Sequence, residues 1–129
     1  MPILALAALL AAAPPADCLN VRNGAGLVSF DGRLERRVFV TPDVGNGRPE
    51  RDYILILPHP ICIDDGGDFA DPNQRFVQVQ LYTGTDALWP RLRAAVGHRV
   101  HIAGIGFAGQ TAHHHAPLVV DVSSVQIRR

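Results

Sequence analysis

Lysine is absent from this 129-residue chain; all 12 basic side chains are Arg. That excludes a lysine Schiff base and a P-loop lysine. Twelve Asp and Glu balance the arginines to a formal charge of zero. Neutrality argues against a protein built to coat nucleic acid, which carries a basic excess. Aromatic side chains make up only 6% of the sequence, so a base-stacking groove would have few platforms. There are two Cys and no Cys-x-x-Cys, which weakens any thiol-based metal or redox centre. No apolar run reaches the roughly 20 residues that a membrane-spanning helix needs. The length fits one domain.

What is present begins with residues 1–16, MPILALAALLAAAPPA, of which 13 are apolar and none is charged. Residues 3–13 have the length of a signal-peptide h-region, although the usual basic n-region is missing. Cleavage after Ala16 is expected, leaving residues 17–129 as a single domain in the periplasm or outside the cell. The alternative is a buried N-terminal helix. Asp17 before Cys18 does not suit a lipidation site, which wants a small uncharged residue there. In an exported chain, Cys18 and Cys62 read as a disulfide pinning the mature N-terminus to the end of a central strand. Closing a loop of that size stabilises by up to about 4 kcal/mol in the chain-entropy model.

Five strands and one helix follow from periodicity. Residues 28–40 alternate with period two, placing Val28, Phe30, Gly32, Leu34, Arg36, Val38 and Val40 on one face. Gly32 marks a point where this long strand can bend. Residues 41–52, rich in Pro and Gly, read as a loop. Residues 53–57 form an apolar second strand that Pro58 and Pro60 end, and residues 61–73 form an acidic loop. The third strand, residues 76–82, turns Val77, Val79 and Leu81 inward and Gln78 and Gln80 outward. Leu88, Leu92 and Val96 share a helical face over residues 86–96, with Thr85 or Asp86 as cap, Gly97 as terminator and Pro90 straining the first turn. Residues 99–107 and 117–127 supply strands four and five, the latter with a phase shift at Ser123-Ser124 that implies a bulge. Three strands, a helix and two strands, with a bent glycine-containing first strand, is the order of a mainly β, OB-fold-like barrel. Another small β-sandwich or barrel with the same strands paired differently is the alternative.

The unusual constellation is Thr111-Ala112-His113-His114-His115-Ala116-Pro117, between strands four and five. Together with Pro60-Ile61-Cys62 and the stretch from Gly97 to Val120, it resembles a family of small exported bacterial proteins known only as a domain of unknown function. Members of that family end in a Thr-Gly-His-His-His-Thr-Pro-Val pattern. Thr111, His113, His114, His115 and Pro117 match, while Ala112 and Ala116 depart from the Gly and Thr of the pattern. The resemblance implies an OB-like domain of the cell envelope and supplies no activity.

On chemical grounds, an extended segment projects His113 and His115 to one side and His114 to the other. Imidazoles two apart can share Zn²⁺ or Cu²⁺ if a further ligand comes from His101, His59 or the Asp loop. The same histidines could instead bond loop carbonyls and fix the turn. A third role for Thr111, His113, His114 and His115, with His101 nearby, is recognition of an envelope ligand or protein partner. The acidic loop at Asp64, Asp65, Asp68 and Asp71 misses the EF-hand frame for Ca²⁺. Arg33, Glu35, Arg36 and Arg37 make a charged patch, in which Arg36 must leave the core at a bulge or pair with an acid. Ser29, Ser123 and Ser124 lack a nucleophile frame, and no catalytic constellation is recognisable. The sequence therefore points to a binding module, with metal binding as the alternative, rather than an enzyme or a nucleic-acid binder.

Overall fold

The computed structural model describes residues 17–22, 26–42 and 45–129. The leader expected over residues 1–16 lies outside the described residues. Among the described residues, seven strands, β1 (Leu19–Asn20), β2 (Leu27–Phe39), β3 (Glu50–Ile61), β4 (Ile63–Asp64), β5 (Phe76–Tyr82), β6 (Arg99–Ala108) and β7 (Leu118–Ile127), accompany one α-helix, α1 (Trp89–Ala95). Five of the strands close into a barrel in the order β2-β3-β5-β7-β6. All neighbouring pairs are antiparallel except β5 and β7, which run parallel. Counting barrel strands alone, the order is one-two-three-five-four, the OB-type arrangement expected from the sequence.

Closure depends on β2, whose 13 residues serve two neighbours. Residues 27–33 pair with β6 and residues 33–39 with β3. The changeover falls beside Gly32, where a Cβ would sit 2.6 Å from the Ile56 carbonyl oxygen. Bulkier residues could not let the two strands approach so closely. Leu34, Leu55, Leu81, Val100, Ile102 and Val120 fill the interior. Leu88, Leu92 and Ala95 close it from the helix side. Pro90 is accommodated in the first turn of α1, where a missing N–H costs nothing, because residues 86–88 form a preceding 3-10 turn. Neither Thr85 nor Asp86 makes the side-chain cap expected of it. Gly97 does end the helix, at φ +86°, and donates its N–H to the Leu34 carbonyl.

The disulfide forms between Cys18 and Cys62, with Cα atoms 4.7 Å apart. Each cysteine immediately precedes a strand, and Leu19 and Ile63 pair in parallel directly beyond it. The second strand of this pair, β4, lies within residues 61–73, which the sequence suggested were loop. Strand β3 also exceeds expectation at both ends. It begins at Glu50 rather than Tyr53 and runs through Pro58 and Pro60. Pairing with β5 lapses between Ile56 and Ile61, so neither proline is asked for a ladder N–H. Arg36 does not leave at a bulge, and it pairs with no acid among the described residues. Beyond Leu34 the even face of β2 is exposed, as Val38 shows at 58%. Arg36 lies 4.8 Å over the Tyr53 ring and donates to its hydroxyl.

The phase shift in the last strand is a bulge. Ala103 pairs with Ser124 and Gly104 with Val122, which leaves Ser123 as the extra residue. A Cβ on Gly104 would collide with the Asp121 carbonyl. Gly104→Ala is therefore expected to lower stability by about 1–3 kcal/mol in denaturant unfolding. Gly84→Ala, whose Cβ would meet nothing closer than 4.0 Å, should change it by less than about 0.5 kcal/mol.

Candidate functional site

Alternation brings a second face into play, the one turned away from the core. Opposite pairs Phe39–Glu50 and Arg37–Asp52 join β2 to β3, and Ile54–Gln80 joins β3 to β5. Residues of this set share the outer face of the three strands. Outer faces of small barrels are usually wet, yet Ile54 and Val119 are fully buried and Gln80 is only 6% exposed. Ile54 and Val119 stand outside the core cluster. Part of the barrel's exterior is thus sealed, and the histidine segment joining β6 to β7 folds over it.

Gln80 makes the join. Its amide nitrogen donates to the His113 carbonyl at 3.2 Å, and its oxygen accepts from the His115 N–H at 2.6 Å. The expectation that Gln80 points outward is right for its direction and wrong for its surroundings. The base of the loop is closed by the Gly109 N–H donating to the Pro117 carbonyl. Its tip is a turn in which the His114 N–H donates to the Thr111 carbonyl and the His113 N–H to Thr111 Oγ1.

The three imidazoles divide as strand-like alternation requires. His113 and His115 turn toward Glu50, with His113 Nδ1 2.6 Å from Oε1 and His115 Nε2 3.3 Å from Oε2. The ring of His115 stacks on Phe39 at 4.1 Å and 3°, and its side chain is only 10% exposed. His114 turns the other way, edge-on to Phe107, and its Nδ1 accepts from the Gln110 and Thr111 N–H groups. One histidine thus serves the loop's own backbone and two serve a carboxylate.

A second carboxylate lies beside the first. Asp52 Oδ2 is 3.5 Å from His115 Nε2, too long for a good hydrogen bond. Among the described residues it is the buried side-chain oxygen without a hydrogen-bond partner. Burial raises the Asp52 pKa above the ordinary carboxylate value, against the pull of His115. Burial also acts to raise that of Glu50, but hydrogen bonds from His115 and His113 outweigh it and leave Glu50 below its ordinary value.

Other candidates are elsewhere. His101 is near the start of β6, at the opposite end of the strand from the loop, with Nδ1 3.0 Å from Asp31. It therefore does not join His113–His115, as the sequence reading had it; the seven residues to the end of β6 span roughly 23 Å. His59 lies on the exposed stretch between Pro58 and Pro60. The acidic loop's carboxylates are already engaged: Asp65 accepts from the Gly67, Phe69 and Ala70 N–H groups of the loop, and Asp64 from the Gly66 N–H and the Arg22 guanidinium. Phe69, 62% exposed at its tip, instead meets the histidine loop across an open concavity of about 650 Å³, bordered by Gln110, Thr111, His114, His115 and Pro117.

Glu50, Asp52 and Gln80 were not among the candidate site residues the sequence marked. No periodicity marked the acids, since residues 50–52 are all charged and residues 53–57 all apolar. Residues 78–126 match the family model of a domain of unknown function (DUF4431), a segment that contains Gln80 and the histidine loop but neither acid. No curated protein matches the chain.

Burial, and then the neighbouring His113 and His115, lower the His114 pKa below 6.5. The unfolded chain therefore takes up this proton first, so the loop's contribution to stability is complete above pH 6.5 and is lost as pH falls through the lower folded value. Protonation of Nδ1 also removes the acceptor for two amides. Hydrogen exchange at Gln110 and Thr111, corrected for intrinsic rates, should accelerate as pH falls through the lowered His114 value, while Ile102 and Val120 stay protected. Loop protection that stays level on acidification until the whole domain unfolds would contradict this role of His114.

Proposed function

We propose that this domain is an exported, disulfide-pinned binding module that takes an envelope ligand or partner segment at the concavity between the histidine loop and Phe69. Export is supported by the Cys18–Cys62 bond, which persists in oxidising compartments, and by the apolar stretch of residues 1–16, read as a leader whose removal leaves residues 17–129. No helix among the described residues is long and apolar enough to cross a membrane.

The observation that carries the reading is a loop held in one shape beside an open, mixed surface. Gln80, Thr111, His114 and the Gly109–Pro117 contact fix the backbone, so little ordering entropy remains to oppose a ligand. The border offers an exposed aromatic ring, an amide, a hydroxyl and imidazole, with no carboxylate or guanidinium. Low pKa keeps His114 neutral near pH 7, with Nδ1 occupied and Nε2–H as its donor. Such a border suits an uncharged polar ligand with one apolar face, such as a saccharide unit or a neutral peptide turn. By fold analogy, OB barrels use the face of strands two and three and the loop between strands four and five for oligosaccharides and oligonucleotides. Those elements here are β3, β5 and the histidine loop.

The test is an amide-shift titration of the full chain with soluble envelope glycan fragments and with neutral peptides. Shifts should concentrate at Phe69 and residues 109–117, and Gln110→Ala with Thr111→Ala should weaken binding about tenfold or more, the scale of one or two lost hydrogen bonds. Saturable shifts elsewhere with a silent loop would refute the site.

A further inference from the structure

We propose that Glu50, Asp52 and His115 form a three-ligand site for a zinc-type divalent cation, with His113 as the positioning residue that holds Glu50. One ligand atom from each of the three lies within 4.8 Å of the others. Ligand atoms bound at zinc-like distances in a tetrahedron are separated by about 3.3–3.6 Å. The two separations centred on His115 Nε2, 3.3 Å to Glu50 Oε2 and 3.5 Å to Asp52 Oδ2, are of that size.

Hydrogen bonding alone leaves the cluster incomplete. A single Nε2–H can serve one acceptor well, and Asp52 Oδ2 is enclosed with none. Two carboxylates two residues apart on one strand face also repel. A divalent cation would answer both charges and the orphaned oxygen at once. The ring that would donate to it is already oriented by Phe39 stacking and by the Gln80 contact at its own backbone. His113 binds the other oxygen of Glu50, the kind of outer contact that orients a ligating carboxylate.

Mixed imidazole and carboxylate donors favour Zn²⁺ and its late first-row neighbours over Ca²⁺ or Mg²⁺, which prefer oxygen throughout. Three protein ligands leave a fourth position for water or a ligand atom. His115 borders both, but neither Gln110 nor Thr111 belongs to the cation set, so substituting those two tests the concavity without removing a cation ligand.

Calorimetric titration and thermal melting of the full-length, tag-free, oxidised chain with Zn²⁺ provide the test. One equivalent should bind, and the melting temperature should rise with zinc concentration as mass action requires. Asp52→Asn should abolish that rise while leaving the metal-free chain at least as stable, since the enclosed charge is gone. His113→Ala should weaken zinc binding about tenfold. In the unsubstituted chain, zinc should shift the His115 ring resonances and leave those of His101 and His59 in place. A melting temperature indifferent to excess zinc, a full response in Asp52→Asn, or shifts confined to His101 or His59 would each overturn the site. A response to Ca²⁺ but not Zn²⁺ would overturn the assigned class of cation.

Discussion

The side-chain amide of Gln80 reaches two backbone groups of the histidine loop at once, accepting from the His115 N–H and donating to the His113 carbonyl. Both ends are used, and the residue is almost fully enclosed. A buried amide with either end unmet would cost about 1–3 kcal/mol, so the loop has one favourable seat on the strand beneath it. From that seat follow the stacking of His115 on Phe39 and the approach of two imidazoles to Glu50. The barrel is made by apolar packing; the place where chemistry gathers is made by one glutamine on its outside.

Strand β3 supplies the other half. Its inward residues Tyr53, Leu55 and Leu57 belong to the core, while Glu50 and Asp52 stand on the opposite face. Covering those acids with a loop raises the energy of their charged forms, and the structure meets this unequally. Glu50 receives two imidazole contacts, whereas Asp52 Oδ2 receives no hydrogen bond. This imbalance distinguishes the cluster from the acidic loop at residues 64–71, where backbone N–H groups answer the carboxylates locally. Formal neutrality of the chain therefore conceals a strongly uneven distribution of polar groups.

Much of the barrel was legible because its signals are local. Period two located β2, β5 and β7, an apolar run the middle of β3, Gly32 the bend, and the change of phase at Ser123-Ser124 the bulge that Gly104 accommodates. The even cysteine pair likewise read true. The histidine loop was visible as a sequence oddity, and alternation alone separated His114 from its two neighbours. What remained hidden depends on contacts distant in the chain. Glu50 and Asp52 looked like the end of a Pro- and Gly-rich loop, because composition upstream masked the start of β3. Gln80 looked solvent-facing, because nothing in a strand's own pattern says what covers its outer side. His101 looked near the loop only because it lies close in sequence; an extended strand carries it to the far end.

Native-state hydrogen exchange at the His115 amide in Gln80→Leu tests the central dependence most directly. Protection there should fall by about tenfold or more, the equivalent of one net hydrogen bond, while Val79 and Leu81 in the same strand keep theirs. Unchanged protection of His115 would show that the loop sits on the barrel without its glutamine.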